Sequence, residues 1–89
     1  MPSREVTIVN KLGLHARAAA KLVTAASGFA ADIRIRRGER EVNGKSIMGV
    51  MMLAASQGTQ IELVAEGEDA EEALAALDTL IAERFGEAE

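Results

Sequence analysis

The stretch Gly13-Leu14-His15-Ala16-Arg17-Ala18-Ala19-Ala20-Lys21 holds the only histidine of the chain and sets it where a helix should begin. A neutral imidazole nitrogen can attack phosphorus near neutral pH. From Ala16 onward the residues are strong helix formers, and Ala19, Leu22, Val23 and Ala26 recur at the spacing of one buried helical face. Gly28 is placed to close that helix. Gly13 breaks the strand-like run before it, so His15 falls at or beside the N-cap, with Arg17 in the first turn. The first turn of a helix offers backbone N–H groups without intrahelical partners, at the positive end of the macrodipole, and so favours an anion. Arg17 adds a permanent charge with donors suited to phosphate oxygens. Phosphohistidine chemistry fits this arrangement. The same spacing also fits a surface or capping histidine, and the local pattern does not choose between them.

The elements around this stretch are scaffold or partner surface. Val6 and Ile8 alternate with polar neighbours over Glu5 to Val9, which predicts a first strand. Asp32-Ile33-Arg34-Ile35-Arg36 alternates again, Arg37-Gly38-Glu39 supplies a turn, and Arg40 to Asn43 returns as the second arm of a hairpin. The arginines Arg34, Arg36, Arg37 and Arg40 form the one basic patch, interleaved with Asp32, Glu39 and Glu41 as on a solvated face. Asn43-Gly44-Lys45-Ser46 is not a P-loop, because the glycine that motif requires would fall at Glu39 and Gly38 comes one residue too early. Ser46 instead reads as the N-cap of a short helix through Ile47-Met48-Gly49-Val50-Met51-Met52-Leu53. That helix is apolar nearly all round, which fits both core packing and an exposed adaptable patch. Ser56 to Thr59 is a turn, Gln60 to Glu66 a strand, and Asp69 with Glu72 a capping-box-like start to a last helix. Ala70, Ala73, Leu74, Leu77, Leu80 and Ile81 trace its apolar stripe toward Phe85, and Gly86 is placed to end it. Strand, helix, strand, strand, short helix, strand, helix is an order that suits an α+β domain of two layers.

Composition narrows the chemistry. Eighty-nine residues, 48% of them hydrophobic, allow one domain over residues 1–89 with one modest core. The only aromatic residues are Phe29 and Phe85, so no cofactor-stacking box and no bound cofactor are expected. With no cysteine and one histidine, neither a disulfide framework nor a metal site is expected. No apolar run approaches membrane-spanning length and no signal-peptide core opens the chain, so a cytoplasmic protein without membrane insertion is expected. A net charge of −4 argues against nucleic acid as a partner and in favour of proteins.

Gly13-Leu14-His15-Ala16-Arg17 together with Gly44-Lys45-Ser46-Ile47-Met48-Gly49-Val50-Met51 resembles the HPr family of phosphocarriers of the bacterial phosphotransferase system. The likeness extends to Gln57-Gly58-Thr59 and to Ala65-Glu66-Gly67-Glu68-Asp69, and covers nearly the whole chain. It implies an open-faced β-sandwich, with a four-stranded antiparallel sheet in the order 1-4-2-3 and three helices on one face. It implies that His15 accepts phosphate on Nδ1 from enzyme I, charged by phosphoenolpyruvate, and passes it to a histidine of an enzyme IIA protein. The protein would be a shuttle rather than an enzyme. Arg17 would assist at the phosphate, and Leu14, Ala16, Ala20, Ile47, Met48 and Met51 would form the partner-binding face. Ser46 matches the regulatory phosphorylation site, the target of an HPr kinase/phosphorylase, and a transient carrier is most simply a monomer. Many relatives have proline where this chain has Ala18; alanine there is similar to some proteobacterial members, including the nitrogen-related branch NPr, so sugar transport and nitrogen regulation both stand as roles. Two other readings remain from the residues: a regulator working chiefly through the state of Ser46, and a small adaptor using the methionine patch.

Overall fold

Alternating apolar residues build four strands in the computed structural model, which describes residues 1–89. They are β1 (Ser3–Thr7), β2 (Asp32–Arg37), β3 (Arg40–Asn43) and β4 (Gln60–Glu66). All three pairings are antiparallel, in the order β1-β4-β2-β3. Val6, Ile33, Ile35, Ile61, Leu63 and Ala65 point into the core. The opposite face is mostly polar, with Glu5, Glu62, Arg36 and Glu41 in register across all four strands. Gly38 takes φ +59 in the turn between β2 and β3, a left-handed conformation that glycine adopts without steric cost.

Three helices cover the inner face: α1 (Ala16–Ser27), α2 (Ile47–Met52) and α3 (Ala70–Ala82). α3 lies on β1 and β4, α2 lies beside β3, and α1 touches both other helices. From α1 come Ala18, Ala19, Leu22, Val23 and Ala26; from α3 come Ala70, Ala73, Leu74, Leu77 and Ile81. These residues and the strand interiors form a single cluster, closed by Phe85. The small side chains on α1 bring its backbone close to its neighbours. This is the expected α+β open-faced sandwich.

Several boundaries differ from the sequence pattern, each for a physical reason. β1 begins at Ser3 and ends at Thr7, although Ile8 stays buried and its N–H still reaches the Thr59 carbonyl at 2.9 Å. Arg37 belongs to β2, so the hairpin turn contains Gly38 and Glu39 alone. Gly28 does cap α1, but with helical φ −76 rather than the left-handed conformation. Asp69 and Glu72 form no capping box: the Asp69 carboxylate leaves its own helix and accepts the N–H groups of Ala30 and Ala31, both at 2.8 Å. Those two donors lie past the end of α1, and one carboxylate with two acceptor oxygens satisfies both. The same bonds, Ala30 first, hold the Asp69 carboxyl below its ordinary range. Finally, α3 ends at Ala82 rather than at Gly86, because Arg84 and Phe85 turn left-handed at φ 59 and 55. That turn drives the Phe85 ring into the core, where its burial is worth about 3 kcal/mol. The gain offsets a backbone cost on the order of 1 kcal/mol per residue.

Candidate functional site

Gly13 sets the geometry of the loop before α1. It takes φ +67, and a Cβ there would meet the Ala55 carbonyl oxygen at 2.5 Å and Ser56 Cα at 2.8 Å. The Leu14 N–H then donates to the Ala55 carbonyl at 2.9 Å, tying the loop to the chain that leaves α2. His15 follows as the N-cap of α1 with extended backbone, φ −73 and ψ 177, and its side chain does not cap the helix. The His15 carbonyl accepts the Ala19 N–H at 2.8 Å, so the N–H groups of Ala16, Arg17 and Ala18 lie ahead of the first helical bond. No acidic residue occupies that first turn. Arg17 is exposed and enters no ion pair. The end of α1 therefore combines free donors, a positive dipole end and an unengaged guanidinium in the turn that follows a partly exposed imidazole, a combination suited to an anion.

The imidazole is held from its far side. Nε2 donates to Oε2 of Glu87. The side chains of His15 and Glu87 are 27% and 15% exposed. Oε1 of Glu87 accepts from Asn10 Nδ2 at 3.0 Å, and the same nitrogen reaches the Gly13 carbonyl at 2.9 Å. Asn10 is fully buried, and its Oδ1 has no partner. The bond from His15, then that from Asn10, hold the Glu87 carboxyl below the ordinary glutamate range. Nε2 is the ring nitrogen with a protein hydrogen bond; Nδ1 has none. Lys11, Leu12, Arg17, Glu87, Ala88 and Glu89 line a shallow depression at this end of the molecule.

Sequence reasoning missed Glu87 and Asn10, and gave Lys21 no role. Glu87 arrives through the left-handed turn after α3, whose Phe85 carbonyl accepts from Lys21 Nζ at 2.6 Å. Past it, the Glu89 carbonyl accepts the Lys11 N–H at 2.6 Å. The one signal available was Phe85, an apolar residue placed just beyond the last helix.

The structure brings most of the expected contact residues to the surface. Ile47, Met48, Met51 and Met52 are exposed on α2, while Val50 and Leu53 of the same segment are buried, so the short helix serves both core and surface. Leu12 is exposed too; Ala16 is exposed and Ala20 half-buried on α1. Leu14 is a correction: at 5% exposure it belongs to the core and presents no side chain to a partner. The alternating burial that puts His15 outward turns Leu14 inward beneath it. Ser46 caps α2, its Oγ accepting the Gly49 N–H at 3.1 Å.

The basic patch divides in two. Arg34 pairs with Asp32, and Arg36 with Glu41 and Glu62, as on a solvated face. Arg37 donates to the carbonyls of Leu53 and Ala54, and Arg40 to that of Met52, so these two satisfy the C-terminal carbonyls of α2. No group of three or more His, Cys, Asp or Glu is arranged to hold a metal ion, and no helix is long and apolar enough to cross a membrane.

Comparison with known proteins gives a consistent result. A family model described as "PTS HPr component phosphorylation site" matches residues 2–83. The chain is 54% identical over 89 residues to the phosphocarrier protein HPr of Cupriavidus necator, covering all of both chains. It is 48% identical over 85 residues to the phosphocarrier protein NPr of Shewanella violacea, covering 96% of this chain and 93% of the relative. Among solved structures, HPr-C-His from Thermoanaerobacter tengcongensis superposes with a TM-score of 0.96 at 48% identity, over the full length of both.

Proposed function

The chain belongs to the HPr family, phosphocarriers of the phosphotransferase system, and from that premise we propose that His15 is its phosphoryl acceptor and Nδ1 the accepting atom. The observation that carries this reading is the placement of His15 at an end of α1 that no side chain caps, with Nε2 engaged and Nδ1 without a protein partner. In the reaction, the Nδ1 lone pair forms a bond to phosphorus as the phosphorus–nitrogen bond of phosphorylated enzyme I breaks, its electron pair remaining on the donor ring. The free N–H groups of the first turn and the Arg17 guanidinium bind the phosphoryl oxygens and stabilise charge where it is transferred. The reverse step delivers the group to a histidine of an enzyme IIA protein. The protein is a carrier rather than a self-contained catalyst, and works as a cytoplasmic monomer with one domain over residues 1–89. Ile47, Met48 and Met51, with Ala16 and Ala20, receive partners beside His15. Ser46 is the regulatory phosphorylation site, acted on by an HPr kinase/phosphorylase where one is present. Ala18 and the likeness to an NPr favour a second destination for the same chemistry, a nitrogen-regulatory relay in which only the acceptor differs.

Incubation with enzyme I and labelled phosphoenolpyruvate tests the assignment. Wild type should acquire acid-labile, base-stable label. His15→Ala should fold normally, because the side chain lies outside the core cluster, and take up none. Undiminished labelling of that variant would overturn His15 as the acceptor.

A further inference from the structure

We infer that Glu87 is a positioning residue for phosphoryl transfer: its carboxylate keeps the proton on Nε2 of His15, so that Nδ1 presents its lone pair to phosphorus, and it faces the positive charge the ring acquires as the new bond forms. The inference rests on His15 being the acceptor. A carboxylate can only accept, so its contact with Nε2 places the proton there and leaves Nδ1 unprotonated in the neutral ring. When Nδ1 bonds to phosphorus, the donor's phosphorus–nitrogen bond breaks and its electron pair stays with the donor. The His15 ring retains its Nε2 proton and becomes an N-phosphorylated imidazolium. One positive charge has appeared on the ring, and the Glu87 carboxylate already stands against it. In the onward step the phosphorus–Nδ1 bond breaks, its electron pair returns to Nδ1, and the ring is neutral again with the same proton on Nε2. No proton has to be found or lost in either direction. Hydrolase triads place a carboxylate on the far nitrogen of a histidine to the same two ends, tautomer and charge.

The surroundings are built to hold Glu87 in that role. Its second oxygen accepts from Asn10 Nδ2 at 3.0 Å, and Asn10 is fully buried, anchored to the Gly13 carbonyl of the same loop that sets His15. Upstream, the left-handed residues Arg84 and Phe85 seat the Phe85 ring in the core at 1% exposure, a strained conformation that persists only where its surroundings enforce it. Lys21 of α1 donates to the Phe85 carbonyl, and downstream the Lys11 N–H donates to the Glu89 carbonyl. The segment is thus fixed on both sides of Glu87.

The test uses Glu87→Ala, Glu87→Gln and His15→Ala in the full chain, with transfer from phosphorylated enzyme I measured as kcat and KM and the His15 ring followed by nitrogen NMR. Glu87→Ala should allow the Nδ1–H tautomer to appear and lower kcat roughly tenfold, the scale of losing a partner that orients a ligating or reacting histidine, with KM for enzyme I little changed. Glu87→Gln can still accept from Nε2 but carries no charge, so it should keep the wild-type tautomer and fall between wild type and Glu87→Ala in rate. A wild-type kcat and an unaltered ring spectrum in Glu87→Ala would overturn the inference. So would faster transfer in that variant, which would make the segment an obstruction. Label on His15→Ala would defeat the acceptor assignment itself; an unlabelled His15→Ala beside a fully active Glu87→Ala would defeat only the role given to Glu87.

Discussion

Glu87 and His15 are coupled, and pH reads the coupling. The Glu87 carboxyl is held below its ordinary range first by the bond from His15, then by Asn10, with the charges of His15 and Lys21 acting in the same direction and burial opposing. A carboxyl whose folded value is depressed contributes stability that is present above its unfolded value and lost as pH falls through the folded one. The attachment of the segment bearing Glu87 should therefore hold at neutral pH and weaken in acid. Carboxyl carbon NMR should show Glu87 titrating below the ordinary glutamate range, and His15→Ala should move it upward toward that range. An unchanged Glu87 midpoint in His15→Ala would separate the two side chains in solution. Glu87 also marks the limit of residue-level reading. The placement of His15 at the N-cap of α1 and of Arg17 in its first turn was legible because the helix that positions them is written in the residues beside them. Glu87 lies 72 positions from His15, and its arrival depends on Arg84 and Phe85 adopting positive φ, for which neither side chain carries a signal.

At the scale of elements, α2 shows how one short helix carries a cap, a core contact and a surface. Its six residues are too few for a stable helix alone. Ser46 ties one end through the Gly49 N–H, and Arg37 and Arg40 occupy carbonyls at the other. Ser46→Ala should cost about 1 kcal/mol in urea unfolding, whereas Ser46→Asp should cap nearly as well. If Ser46 is also the regulatory site, Ser46→Asp should slow transfer from enzyme I with little loss of stability, because added charge beside an apolar docking surface raises its desolvation cost. Equal transfer rates for wild type and Ser46→Asp at low salt would leave the serine with the cap alone. The cap was legible because serine before an apolar helix is a local signal. The arginine caps were not, because they depend on how the β2–β3 hairpin folds against α2. Asp69 misled for the opposite reason: its position relative to Glu72 matches a local motif, yet the N–H groups of Ala30 and Ala31, in the loop between α1 and β2, competed for its oxygens and won.

For the molecule as a whole, the sheet and the layer of helices over it were legible because period-two and helical apolar patterns each point to one buried face, and a chain of this length can assemble only one core from them. The strand order β1-β4-β2-β3 was legible only through the resemblance to the HPr family. What the patterns could not divide was α2, apolar on every side. The structure divides it: Val50 and Leu53 enter the core, while Met48 stands 75% exposed beside Ile47, Met51 and Met52. Such an uncovered apolar cluster is the kind of surface a protein partner can cover, and methionine side chains can repack against partners of different shape. Burial predicts that two substitutions will act on different properties. Leu77→Ala, in the interior of α3, should lose about 2–5 kcal/mol of stability in urea unfolding. Met48→Glu should leave the unfolding midpoint within error, since the side chain already lies in water, and weaken binding to enzyme I by roughly tenfold, the effect of removing one well-packed contact and placing a charge there. Titration calorimetry on both variants checks this. Unchanged affinity in Met48→Glu would remove the α2 surface from the docking interface, and a large loss of stability would return Met48 to the core.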